Sequence, residues 1–165
     1  MTAPHLQHLE QTVLAMPMAR TLGLRFTRLE PGQVELEIPI TEPFTFRPGQ
    51  LQATPVFAAA DFAAVGAAGS VLPDGWVNAT VDATLKLVAP ATGAALRARG
   101  RVVSAGKLLT VCAADVFAID ADGKETLCAT WLGSARTSNP FEGHSRVSRS
   151  RVISEGAPKR LGGPQ

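Results

Sequence analysis

Charge is scarce in this chain. Asp, Glu, Lys and Arg make up only 18% of its 165 residues against 45% hydrophobic, which excludes a disordered polyelectrolyte and leaves one domain with a sizeable core. The net charge of +2 is concentrated at the C-terminal end, where Arg146, Arg149, Arg151, Lys159 and Arg160 outweigh Glu142 and Glu155. The body therefore carries no nucleic-acid footprint. Cysteine is nearly missing. Cys112 and Cys128 fall in apolar, strand-like stretches at a spacing that matches no zinc or redox motif. Reduced core thiols are the preferred reading, with a disulfide between neighbouring strands as the alternative. The histidines, His5, His8 and His144, sit in terminal segments without partners at metal-ligand spacing. Neither a metal nor a cofactor is expected. No basic n-region precedes an apolar core at the N-terminus, and the most apolar stretch, 48–73, is interrupted by Asp61 and many small residues. A soluble, cytoplasmic protein with no membrane or nucleic-acid partner is expected.

What the chain does have is a segment built for burial, residues 54–69, TPVFAAADFAAVGAAG. Thr54 suits an N-cap and Pro55 the first helical position, where a missing N–H costs nothing. Nearly everything that follows is Ala, Val, Phe or Gly. A helix apolar all round is a core helix, wrapped by other elements. Asp61 interrupts it seven residues past the cap, about 10 Å along the axis and on nearly the same face. Such a carboxylate is either a perturbed catalytic group or a side chain at the helix's one wet edge or beside a backbone amide.

Around this helix the pattern is simple. Leu6, Leu9, Val13 and Met16 recur at helical spacing, and Pro17 argues for the end of that helix. Residues 24–30 and 33–39 read as strands joined at Pro31-Gly32; Val34, Leu36 and Ile38 alternate with Gln33, Glu35 and Glu37. Residues 41–52, with Pro43 and Pro48-Gly49, read as a loop. Residues 77–88 alternate with Val77, Ala79, Val81, Ala83, Leu85 and Leu87 on one face. Strands over 94–104, 108–120 and 125–136 follow, joined by turns at Ala105-Gly106-Lys107 and Asp122-Gly123. Hairpins imply an antiparallel sheet, and the apolar helix needs that sheet curled around it, so the fold class is α+β. The domain spans 1–137. Residues 138–165, rich in Ser, Arg, Gly and Pro, read as a basic, disordered tail.

Three words stand in this order: FRPGQLQATPVFAAAD from Phe46, ATVDATLKLVAPA from Ala79 and VVSAGKLLTV from Val102. Together they resemble the hotdog fold, a curved antiparallel sheet wrapped around a central helix, and within it the PaaI-like acyl-CoA thioesterases, over roughly 23–136. Family members carry Asn-x-x-Gly-x-x-His-Gly-Gly and, after six more residues, a helix Asp or Glu. Here Gly49 and Asp61 match, while Phe46 replaces the Asn, Gln52 the His and Ala53-Thr54 the Gly-Gly pair. Thr80 falls where relatives place a Ser or Thr that helps hold water, and Lys107 where they carry a basic residue at a hairpin tip. The resemblance implies an obligate homodimer, alone or as a dimer of dimers, in which the acid of one subunit faces the helix N-terminus of the other.

Thioester hydrolysis needs an activated water or a carboxylate nucleophile, plus donors aimed at the developing oxyanion. Asp61 can fill either of the first roles. The helix start offers the amides of Ala53, Thr54 and Val56, whereas Pro55 has none. Replacing Gly-Gly adds Cβ atoms at Ala53 and Thr54 and disfavours φ > 0 there. Gln52 can donate to a carbonyl oxygen without transferring protons, or simply satisfy loop backbone. Phe44, Phe46, Phe57 and Phe62 are candidates to line an aryl or alkyl pocket. Arg97, Arg99, Arg101 and Lys107 suit the phosphates of coenzyme A, though the arginines equally suit pairing with Glu35 and Glu37 across strands. The leading expectation is an acyl-CoA thioesterase, and the alternative a non-catalytic hotdog protein that binds acyl-CoA or another apolar ligand. A hydratase, which pairs Asp with His on the central helix, is disfavoured because the core contains no His.

Overall fold

The computed structural model describes residues 4–139. Helix α1 (Pro4–Ala15) buries Leu6 and Val13. Pro17 does more than stop it. It sits in the first turn of a second, short helix, α2 (Pro17–Leu22), where no N–H is needed, and Gly23 closes that helix at φ 65°. Strands β1 (Arg25–Glu30) and β2 (Gln33–Pro39) form a hairpin. The expected loop 41–52 contains a single 3-10 turn (Glu42–Phe44) and two small strands, β3 (Thr45–Arg47) and β4 (Gln50–Leu51), paired around Gly49. Then come α3 (Ala53–Gly69), β5 (Val77–Leu87), β6 (Ala95–Ala105), β7 (Leu109–Ile119) and β8 (Glu125–Ser138).

Six strands form one antiparallel sheet in the order β1-β2-β6-β7-β8-β5, and α3 packs against β2, β5, β6, β7 and β8. The architecture is α+β, a sheet around a central helix, as the sequence predicts. Leu36, Ile38, Leu96, Val116 and Trp131 are fully buried between them. Each such side chain stabilises the fold by about 1.5–3 kcal/mol relative to exposure. The helix contributes mostly alanine, with Ala59, Ala60, Ala63, Ala64, Ala67 and Ala68 wholly inaccessible, so its backbone can lie close to the strands. Gly100 on β6 completes that approach, since a Cβ there would stand 2.0 Å from the Ala63 carbonyl oxygen.

The outer face of the sheet is ionic. Arg97 Nε donates to Glu37 at 2.8 Å, Arg99 Nε to Glu35 at 2.8 Å and Arg99 Nη1 to Glu125 at 2.8 Å. Arg25 also pairs with Glu37, which is only 4% exposed. Arg97 and Arg99 are therefore engaged across strands rather than held free for a phosphate. Arg97→Leu is expected to cost about 1–3 kcal/mol, because it leaves the buried Glu37 carboxylate with Arg25 alone. Urea denaturation of the variant measures it.

One strand boundary changes: β8 continues to Ser138, two residues past its expected end, and Thr137 is buried with its hydroxyl donating to the Lys107 carbonyl at 2.9 Å. The rest of the expected basic tail, 140–165, lies outside the described residues.

Candidate active site

The sheet covers α3 on most sides but not all. Phe57, Ala58, Asp61, Phe62, Val65 and Gly69, spaced as one helical stripe, retain exposure while their neighbours are buried. The helix is thus apolar all round in composition but not buried all round, and Asp61 occupies its open side.

Opposite this stripe runs β5, where the expected single alternation fails. The register slips between Thr80 and Asp82, making Val81 a bulge residue. One inserted residue exchanges the two faces of a strand. Before the bulge the polar residues turn toward α3: Asn78 Nδ2 donates to the Val65 carbonyl at 3.0 Å, and Thr80 Oγ1 donates to Asp61 Oδ1 at 2.8 Å. After it Ala83 and Leu85 turn inward and pack on the core. Val77 and Val81 are left outside, 51% and 55% exposed.

Burial pushes the Asp61 carboxyl above its ordinary pKa, and the Thr80 hydrogen bond pulls it partly back. The carboxylate is thus costly to form yet fixed in direction. It opens onto a cavity of about 580 Å³ between α3, the start of β5, the turn around Trp76 and the face of α1 that carries His5, His8 and Thr12. That volume suits a small-molecule ligand.

The structure brings Asp61 and Thr80 together and places the other candidate residues elsewhere. The start of α3 differs from expectation. Its N-cap is Gln52, not Thr54, and the Gln52 side chain makes no capping bond. The reason is tertiary: Leu51 N–H reaches the Ala91 carbonyl and Gln52 N–H the Phe44 carbonyl, both at 3.0 Å, holding the chain extended up to that point. Ala53 and Thr54 become the first two helical residues and Pro55 the third. Being helical, neither Ala53 nor Thr54 needs φ > 0, so the loss of Gly-Gly brings no backbone strain. Their amides have no partner among the described residues. Val56 differs: it is buried, and its amide stands at the fourth helical position, where the ladder pairs it with the Gln52 carbonyl. Two free amides therefore remain, not three.

Those amides belong to exposed residues at the far end of α3, seven and eight residues and about 10–12 Å from Asp61. Phe46 is exposed too, with the Arg47 guanidinium 5.3 Å from its ring centroid. Lys107 sits at the β6–β7 hairpin beside a separate recess of about 190 Å³. It does not line the Asp61 cavity. Sequence reasoning missed His5, His8, Trp76 and Asn78 as lining groups; the one usable signal was the spacing of His5, His8 and Thr12 on one face of α1.

Among the described residues no three side chains are placed to hold a metal, and no helix is long and apolar enough to cross a membrane. No protein-family model and no curated protein matches the sequence. Solved structures do. A thioesterase family protein from Silicibacter pomeroyi is similar at TM-score 0.77 and 32% identity, over 81% of this chain and 97% of that one. A thioesterase from Haemophilus influenzae matches at TM-score 0.73 and 19% identity, over 87% and 96% of the two chains. The Escherichia coli PaaI protein of the phenylacetic acid degradation operon matches at TM-score 0.66 and 18% identity, over 79% and 94%. At their lower identities the last two speak for the fold alone.

Proposed function

Because this chain belongs to the thioesterase family and shares the hotdog fold of its PaaI-like members, we propose that it hydrolyses acyl-CoA thioesters at a site shared between two subunits of a homodimer. The observation that carries this reading is the Asp61–Thr80 pair, an oriented carboxylate opening onto a ligand-sized cavity. Asp61 acts as general base, taking a proton from the water that attacks the thioester carbonyl, or attacks that carbon itself as nucleophile. In either case the carbonyl oxygen becomes an oxyanion, and its collapse breaks the C–S bond. The leaving group departs as a thiolate, which, unlike an alkoxide, needs no proton from a general acid, so a Gln52 that cannot transfer protons is compatible with the step. In the nucleophilic route water then hydrolyses the acyl-Asp61 anhydride.

The oxyanion needs donors, and Asp61 is too far from its own helix start to share one carbonyl with it. We assign that role to the unpartnered Ala53 and Thr54 amides of a second copy, at the positive end of its α3. Support for a second copy comes from β5. It is a long edge strand with no partner on its outer side among the described residues and carries exposed Val77, Val81 and Leu87, the kind of edge that monomers normally blunt. Gln52, exposed beside those amides, can donate to the same oxygen. Phe46 and Lys107 lie outside the cavity, so their proposed contacts are with the coenzyme.

Free-thiol release from a panel of acyl-CoAs tests the activity. A panel that releases no thiol yet raises the melting temperature would favour the non-catalytic binder, the reading that the altered His-Gly-Gly word supports. Thr80→Val keeps shape but removes the bond to Asp61 Oδ1, and it is expected to lower turnover by about tenfold. That bond holds the Asp61 pKa down, so its loss should also move the acid limb of the pH–rate profile to higher pH.

A further inference from the structure

The cavity extends well beyond the reacting carboxylate. From Asp61 it follows α3 past Phe62 and Val65 to Gly69, eight residues and so about 12 Å of helix. At that far end Gly69 leaves room that α1 fills, since a Cβ on Gly69 would stand 3.3 Å from Leu9 Cδ1. This contact fixes which part of α1 lies there. His8 is the chain neighbour of Leu9, and His5 and Thr12 lie within about one turn of it, all three lining the cavity. None of their side chains hydrogen-bonds to protein among the described residues. Between the two ends the walls are mainly apolar, with Phe62, Val65, Leu72 and Trp76; their polar members are Asn78, bonded to the Val65 carbonyl, and Asp74.

A carboxylate at one end, an apolar run, and a cluster of free donors at the other describe a ligand with the same pattern. We propose that this cavity takes the acyl group, and that the preferred substrates are medium-length acyl-CoAs with an oxygen function at the far end, bound by His5, His8 and Thr12. The proposal rests on the thioesterase reading above. An extended carbon chain advances about 1.25 Å per bond, so a span of about 12 Å holds roughly ten chain atoms. Imidazole and hydroxyl groups both donate to a hydroxyl or carboxylate oxygen. A chain ending in methyl expels their water and returns nothing, which is how a polar pocket rejects an apolar analogue.

The test compares decanoyl-CoA with analogues bearing a terminal hydroxyl or a terminal carboxylate in its place. Thiol release is measured on wild type, and binding by calorimetry on Asp61→Asn, where the substrate survives. At least one oxygenated analogue is expected to exceed decanoyl-CoA about tenfold in kcat/KM and to bind correspondingly tighter. Which analogue leads separates a hydroxyl from a carboxylate ligand. In His5→Leu/His8→Leu the ratio should fall to near one, whereas His5→Gln/His8→Gln, which keeps donors, should retain part of it. Melting curves confirm that both double variants fold. Equal or faster turnover of decanoyl-CoA by wild type, or a preference that survives the leucine variant, overturns the proposal. If no compound releases thiol, the hydrolytic reading fails and binding decides alone: tighter oxygenated analogues support the proposal, and equal or weaker ones overturn it.

Discussion

Asp61→Asn is expected to lower thioester turnover by on the order of 10²–10⁴-fold, the worth of a general base, while leaving the protein at least as stable at neutral pH. The amide keeps the size of the side chain and an oxygen for the Thr80 hydroxyl, but it can neither accept the water proton nor form an acyl intermediate. The stability half follows from burial. In the folded protein the Asp61 pKa is raised, so the native state holds the proton more tightly than the unfolded chain does. No penalty exists below the ordinary carboxyl pKa. As pH rises through that value toward the folded one, ionisation begins to cost stability, and above the folded pKa the cost is complete. Asparagine carries no such cost. The difference in melting temperature between variant and wild type should therefore be small near pH 3 and turn in the variant's favour toward pH 7. A large fall in melting temperature with turnover intact would instead make Asp61 a structural group.

The second large effect is expected at Gly100, which lines no part of the Asp61 cavity. Gly100→Ala places a methyl 2.0 Å from the Ala63 carbonyl oxygen, 2.2 Å from its carbon and 2.6 Å from the Ala64 nitrogen. All three are backbone atoms of α3, so no side chain can rotate away; either the helix shifts or β6 does. Overpacking typically costs about 1–3 kcal/mol, and this rigid contact belongs at or above the upper end. Because the displaced helix carries Asp61, turnover should fall along with stability. Urea unfolding measures the loss, and a change well under 1 kcal/mol would mean that the helix does not rest on β6 at this point.

Much of this fold is legible in the sequence because its signals are local. Alternation marks Gln33–Pro39 to the residue, and hairpin turns order the last strands. The lack of polar residues in α3 identifies the central helix and makes Asp61 conspicuous. The misses have different physical causes. Six residues are too few to show a helical period, so α2 was hidden behind the stop signal of Pro17. A single bulge at Val81 reverses a strand's faces without altering the alternation that is read, so periodicity alone does not show that Asn78 and Thr80 turn toward α3. The helix starts at Ala53 instead of after Thr54 because hydrogen bonds from Leu51 and Gln52 to distant carbonyls outweigh a cap propensity. Spacing puts His5 and His8 on one face of α1, but they join the site only through the docking of that helix, which the spacing does not encode.

In the proposed dimer, Asp61 of one subunit and the Ala53–Thr54 amides of the other form a single site. Ala53→Pro removes one of those donors at the first helical position, which proline favours, and follows the already extended Gln52, so the helix should persist. Loss of one such donor is expected to cost about 10²–10³-fold in turnover. Asp61→Asn and Ala53→Pro proteins, each nearly inactive alone, are unfolded together in equal amounts, refolded and assayed for thiol release. In the mixed dimer one site carries both defects and the other carries neither. With random pairing, about a quarter of wild-type activity should return. A mixture no more active than its two components would place both groups within one subunit and contradict the shared site.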